Sequence, residues 1–131
     1  MKHPLLAIAL LTAITPFAAA QNDSPAYSQC MQTAETTLDM SNCQGAELKR
    51  EDARLNSAYK KAKAGLDPAQ QAKLLDAQRL WIKYRDANCK VYYSLTGGTI
   101  DQINGASCLL KMTKARADEL LKLNPESLMT E

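Results

Sequence analysis

Histidine is almost missing from this chain: the one copy among 131 residues is His3, inside a stretch that reads as an export signal. Lys2 gives that stretch its charged start, residues 4–14 (PLLAIALLTAI) its apolar run, and residues 16–20 (PFAAA) a small-residue cleavage region. Ala18 and Ala20 stand where a signal peptidase needs small side chains, so the cut is expected after Ala20, leaving a single domain over residues 21–131. That domain then holds no histidine. Ser–His and Cys–His nucleophile activation fall away, and with them the commonest zinc ligand.

Other absences narrow the function further. The apolar run is about half of the ~20 residues a bilayer span needs, and no cysteine stands at the cut, so neither a membrane span nor a lipid anchor is expected. Sixteen basic residues face fourteen acidic ones, and losing Lys2 makes it 15 against 14. Nucleic-acid-binding domains carry far more positive charge than that, and Lys60, Lys61 and Lys63 read as a solvated helix face. Gly97-Gly98 lacks the spacing of any phosphate-binding loop. Glu51-Asp52 and Asp118-Glu119 are adjacent on predicted helices, where neighbours do not face each other, so nothing marks an acid–base pair. No catalytic residue, cofactor or metal site is expected. These residues do not read as an enzyme.

What is present is helix-forming sequence with clear punctuation. Ser24-Pro25 combines a capping hydroxyl with a proline suited to the first helical turn. A short helix through Tyr27, Cys30, Met31 and Ala34 should follow and weaken at the β-branched Thr36-Thr37. Ser41-Asn42 offers a cap for a second helix to about Ala64, with the stripe Leu48, Leu55, Tyr59, Ala62 and Leu66, and Gly65 ends it in the left-handed conformation. Asp67-Pro68 opens a third. Its centre, residues 74–95 (LLDAQRLWIKYRDANCKVYYSL), holds the only tryptophan and three of the five tyrosines. Leu74, Ala77, Trp81, Tyr84, Val91 and Leu95 step by three and four, which predicts the core face, with Asn88 as its polar break. Thr96-Gly97-Gly98-Thr99 interrupts the helix. Thr99 or Asp101 then caps a fourth through Ile103, Leu109, Leu110, Met112, Thr113, Arg116 and Leu120, and Asn124-Pro125 stops it. The expected fold is all-α, a small antiparallel bundle of about four helices.

Four cysteines in a small exported domain, with no CxxC pair, read as two disulfides rather than metal ligands. Cys89 lies about six residues from the end of the third helix and Cys108 about nine into the fourth. At ~1.5 Å per residue their heights in an antiparallel hairpin agree within about one turn. Cys89–Cys108 is therefore favoured, leaving Cys30–Cys43 among the three possible pairings.

Of the aromatic residues, Trp81 and Tyr84 are read as core fillers. Tyr92 and Tyr93 are consecutive and point about 100° apart, so one must be exposed near the double glycine. Arg85 and Arg116 read as braces held by carboxylates such as Asp52 or Asp86. The candidate partner-binding surface is the glycine-containing loop Thr96, Gly97, Gly98 and Thr99 with Tyr93.

The run from Gln78 to Cys89 (QRLWIKYRDANC) completes a recognisable pattern. Together with Cys30, Cys43, Leu55-Asn56, Tyr59, Gly97-Gly98, Cys108, Thr113, Arg116 and Leu120, it resembles the LprI-like family, named for a lysozyme inhibitor and containing many exported bacterial proteins. The resemblance spans about residues 27–121. It implies a helical, disulfide-stapled domain in which Leu55, Asn56, Tyr59, Gln78, Trp81, Tyr84, Arg85, Thr113 and Arg116 are scaffold positions. It also implies inhibition of lysozyme-type cell-wall hydrolases in the periplasm or outside the cell, by stoichiometric protein binding. The alternative is a non-catalytic envelope adaptor that binds another secreted or periplasmic protein; a third reading is a small-ligand carrier, which would need a lined internal cavity. A near-neutral mature domain is a poor electrostatic match for strongly basic lysozymes.

Overall fold

The computed structural model describes residues 23–123, so the expected signal and the stop at Asn124-Pro125 lie outside the described residues. Four helices follow in order: α1 (Pro25–Thr33), α2 (Thr37–Ala64), α3 (Pro68–Tyr92) and α4 (Ile100–Lys122). Three of them start where side chains satisfy the unpaired amides of the first turn. The Ser24 hydroxyl accepts from the Tyr27 amide, ahead of Pro25. Asp67 and Gln70 form a reciprocal capping box at the head of α3, again ahead of a proline.

The second helix begins earlier than expected. Thr36 and Asp39 form its capping box, so Thr36-Thr37 marks a helix start and Ser41-Asn42 lies inside the helix. The Thr36 hydroxyl and amide also hold the Asp39 carboxyl below its usual range. Gly65 does end α2, but in the right-handed conformation (φ −84°, ψ 0°), with its amide turned back to the Ala62 carbonyl and the Leu66 amide to that of Lys63. α3 stops at Tyr92, three residues short of Leu95.

Consecutive helices run antiparallel, and the closest association is between α2 and α4, which are not consecutive and run parallel. Small side chains explain the closeness. Ala58 and Ala62 of α2 and Ala117 of α4 are buried beside Leu55 and Leu120, and Leu74 of α3 completes the cluster. Tyr59, Leu66 and Trp81 close over it. The disulfides are Cys30–Cys43, stapling α1 to α2 with Cα atoms 5.7 Å apart, and Cys89–Cys108, stapling α3 to α4 at 5.5 Å.

The expected face of α3 is corrected. Only Leu74, Gln78 and Cys89 are buried on this helix, with Trp81, Arg85 and Asn88 half-buried between them. Ala77, Tyr84, Val91 and Leu95 point outward. The reason is that α3 leans chiefly on α4, and α4 offers it polar partners: Gln78 and Arg85 earn burial through hydrogen bonds rather than apolarity. Tyr84 is thus not a core filler.

Candidate functional site

The loop between α3 and α4 is built around one carboxylate. Asp101, in the first turn of α4, is only 2% exposed and turns back to the loop instead of capping its helix. It accepts from the Thr96 amide (3.2 and 3.0 Å to its two oxygens), the Thr96 hydroxyl (2.9 Å) and the Gly97 amide (2.8 Å). The Thr96 hydroxyl in turn accepts from the Gly98 amide at 3.1 Å. Gly97 sits at φ +76°, where a side chain would be strained, so glycine is required there by backbone geometry. Burial pushes the Asp101 carboxyl up, but the donors of Thr96, Gly97 and Asn104 outweigh it and hold the group below its usual range. The result is a short loop held by an ionised, multiply bonded anchor. Thr96, Gly97, Gly98 and Thr99 are all exposed on it, flanked by exposed Leu95 and Ile100.

Tyr93, read as part of the same surface, is half-buried, and its ring lies on Gly105 of α4, so closely that a Cβ at Gly105 would fall inside it. Tyr92 is the more exposed of the two tyrosines.

The other motif residues gather at the junction of α2, α3 and α4. Leu55 and Tyr59 lie in or against the apolar cluster, as does Trp81. The Arg85 guanidinium stands 5.2 Å from the Trp81 ring centroid and donates to the Thr113 hydroxyl at 3.3 Å. It also pairs with Asp52 at 3.6 Å and Asp86 at 2.9 Å, the carboxylates expected for it. Arg116 donates to Gln78 at 3.0 Å and pairs with Glu119 at 2.9 Å. Asn56 and Tyr84 stand apart from this network, exposed on the surface.

A second polar cluster had no signature in the sequence. Glu47 is completely buried and accepts from the Ser24 amide (3.0 Å), the Ser24 hydroxyl (2.6 Å) and the Arg50 guanidinium (2.7 Å). Lys114, also buried, lies 3.8 Å from it, pairs with Asp23 and stands over the Tyr27 ring. Burial alone would raise the Glu47 pKa; Ser24 and Arg50 reverse that and lower it. Held by the Ser24 donors and the Arg50 and Lys114 cations, this carboxylate fastens α1 to the α2–α4 pair. Each of these residues alone looks like an ordinary solvated helix charge, and only the fold brings them together.

Among the described residues no group of three or more His, Cys, Asp or Glu is placed to hold a metal. No helix there is long and apolar enough to cross a membrane. A groove of about 350 Å³ between α3 and α4, lined by Asn88, Tyr92, Asn104, Ser107 and Lys111, lies outside the apolar cluster.

Comparison with known proteins fits this arrangement. An uncharacterized protein of Rhizobium meliloti (strain 1021) is 28% identical over 137 aligned positions, which cover 94% of this chain and 96% of that protein. No solved structure matches. The family model described as lysozyme inhibitor LprI matches residues 28–120, from the first turn of α1 to the end of α4, taking in both disulfides and the braced loop. The chain belongs to the LprI lysozyme inhibitor family.

Proposed function

We propose that this protein is an inhibitor of lysozyme-type cell-wall hydrolases that acts after export, in the periplasm or outside the cell, by stoichiometric binding without chemistry of its own. The observation that carries the reading is the Asp101-anchored loop. A recognition loop held in one conformation before contact loses less ordering entropy on binding than a flexible one. Exposed Leu95 and Ile100 beside the loop supply apolar contact, and its own small residues let the backbone approach a partner closely. The cleft of a lysozyme-type enzyme is lined by its two catalytic carboxyl groups, and a narrow protruding loop suits such a cleft. The family match supports the target class.

The test is a titration of hydrolase activity against the oxidised chain, with a Gly97→Val variant beside it. The wild-type chain should abolish hydrolysis near one-to-one. The variant, strained at a positive φ, should keep the helices and lose potency. Full inhibition by Gly97→Val would move the site off this loop, and no inhibition at large excess would favour the adaptor reading.

A further inference from the structure

Beyond the loop, the outer surface of α3 carries an unusual stripe. Leu80 is 66% exposed, Tyr84 61% and Val91 56%, at spacings of four and seven residues with Ala87 between them, and Leu95, 55% exposed, follows in the turn after the helix. The spacing aligns Leu80, Tyr84 and Val91 along one exposed side of the helix, and Leu95 carries the apolar surface on to the anchored loop. Together the four side chains expose on the order of 400 Å² of largely apolar surface, the size at which a patch on a monomer is often functional. That is about half of the ~800 Å² that a standard interface buries on each partner, which leaves room for a rim and the loop.

The rim has a sign. Arg79, Lys83 and Lys90 run alongside the stripe and have no partner among the described residues. Asp86, beside Lys83 and Lys90, is already paired with Arg85 at 2.9 Å, so the flank carries these three cations against Asp76, one turn before Arg79. A second copy of the chain is a poor occupant. Antiparallel self-pairing of the stripe, centred near Ala87, brings Lys83 of one copy against Lys90 of the other, and parallel pairing sets each lysine against itself. An acidic surface satisfies both the stripe and the rim.

We infer that this face of α3 is the main docking surface for the hydrolase, and that it selects enzymes whose cleft is bordered by acidic residues over strongly basic ones. The inference rests on the inhibitor reading and names the partner's surface chemistry. Tyr84 is the principal anchor, because tyrosine is enriched among the residues that carry most binding energy, and Leu80, one turn away, extends its apolar contact. Lys83 and Lys90 steer the encounter and choose the partner. The loop then meets the end of the cleft.

The experiment measures direct binding, by calorimetry, of the oxidised chain to chicken-type lysozyme and to the same enzyme succinylated to reverse its surface charge. The acidic form should bind ~10-fold or more tightly than the native form, with affinity falling as salt rises. Leu80→Ser combined with Tyr84→Ala should weaken that binding ~10-fold or more, and Lys83→Glu with Lys90→Glu should reverse the preference, with helical circular dichroism unchanged. Tight binding that survives both pairs of substitutions overturns this surface and leaves the inhibitor reading standing. No binding to either form overturns both for this enzyme. Self-association at micromolar concentration, abolished by the Leu80/Tyr84 pair, would assign the face to a second copy. Binding to phosphatidylglycerol-containing vesicles but not to the acidic enzyme would assign it to a membrane surface. Either result overturns the proposal.

Discussion

Gly105 is where a single methyl group matters most. Alanine normally improves a helix interior over glycine by about 1 kcal/mol, but here its Cβ would fall inside the Tyr93 ring. The ring must move, and the net effect of Gly105→Ala should be a loss of roughly 1–3 kcal/mol, read as a lower urea midpoint. Adding Tyr93→Ala should make the two changes clearly non-additive, since they share one contact. Glu47 is a different kind of position. Its carboxylate is buried among Ser24, Arg50 and Lys114, and Glu47→Gln removes the charge while leaving buried Lys114 in place. Breaking a buried ionic cluster from one side costs about 3 kcal/mol, and α1 should loosen first, visible as faster amide exchange over Pro25–Thr33. The same residue sets the acid limit of the fold. The carboxyls of Glu47 and Asp101 lie below their ordinary values in the folded protein, so their contribution is full above the unfolded carboxylate range near pH ~4 and is lost as pH falls below it through their lower folded-state values. The melting temperature should be nearly flat from neutral pH to about 5 and fall below about 4, and the fall should be shallower in Glu47→Gln.

At the scale of the helix, the sequence reports its punctuation well and its burial less well. Ser24-Pro25 and Asp67-Pro68 start helices as their chemistry requires, because a cap is satisfied within three or four residues and needs no tertiary partner. Thr36 misled for a local reason: its β-branching lowers propensity inside a helix, but at the N-cap its hydroxyl is an asset, and Asp39 three residues on completes the box. The error on α3 is of another kind. The apolar heptad predicts the buried face, whereas Gln78 and Arg85 are drawn inward by Arg116 and Thr113 of α4, leaving Tyr84 and Val91 outside. Partners 28 and 38 residues away decide that, and no local pattern contains them. Of the candidate site, the loop residues were legible from the paired glycines; the role of Asp101 was not, because an acid in a first helical turn reads equally well as a cap.

Taken as a whole, the molecule is a parallel α2–α4 pair with two flanking helices stapled on. Both disulfides join a flanking helix to that pair, α1 through Cys30–Cys43 and α3 through Cys89–Cys108. The pairing was readable because helix heights limit which cysteines can meet; the parallel α2–α4 association was not, since it joins non-consecutive elements. Replacing Cys89 and Cys108 by alanine should cost about 3 kcal/mol in the chain-entropy account. It should also release the loop, because the bridge anchors the α3 end from which Leu95 and Thr96 project. Such a variant should bind more weakly than its loss of stability explains, when measured well below its own melting temperature. This scaffold carries two exposed features, the braced loop and the α3 stripe, and its buried polar clusters fasten helices and loop together.

The most direct measurement of the central claim is a cell-wall lysis assay in which the purified oxidised chain is titrated into chicken-type, goose-type and invertebrate-type lysozymes. A saturable loss of activity of at least one enzyme near one-to-one stoichiometry, reversed by Gly97→Val, is the predicted result. Undiminished lysis by all three at large molar excess would contradict the account and leave the family fold serving another partner.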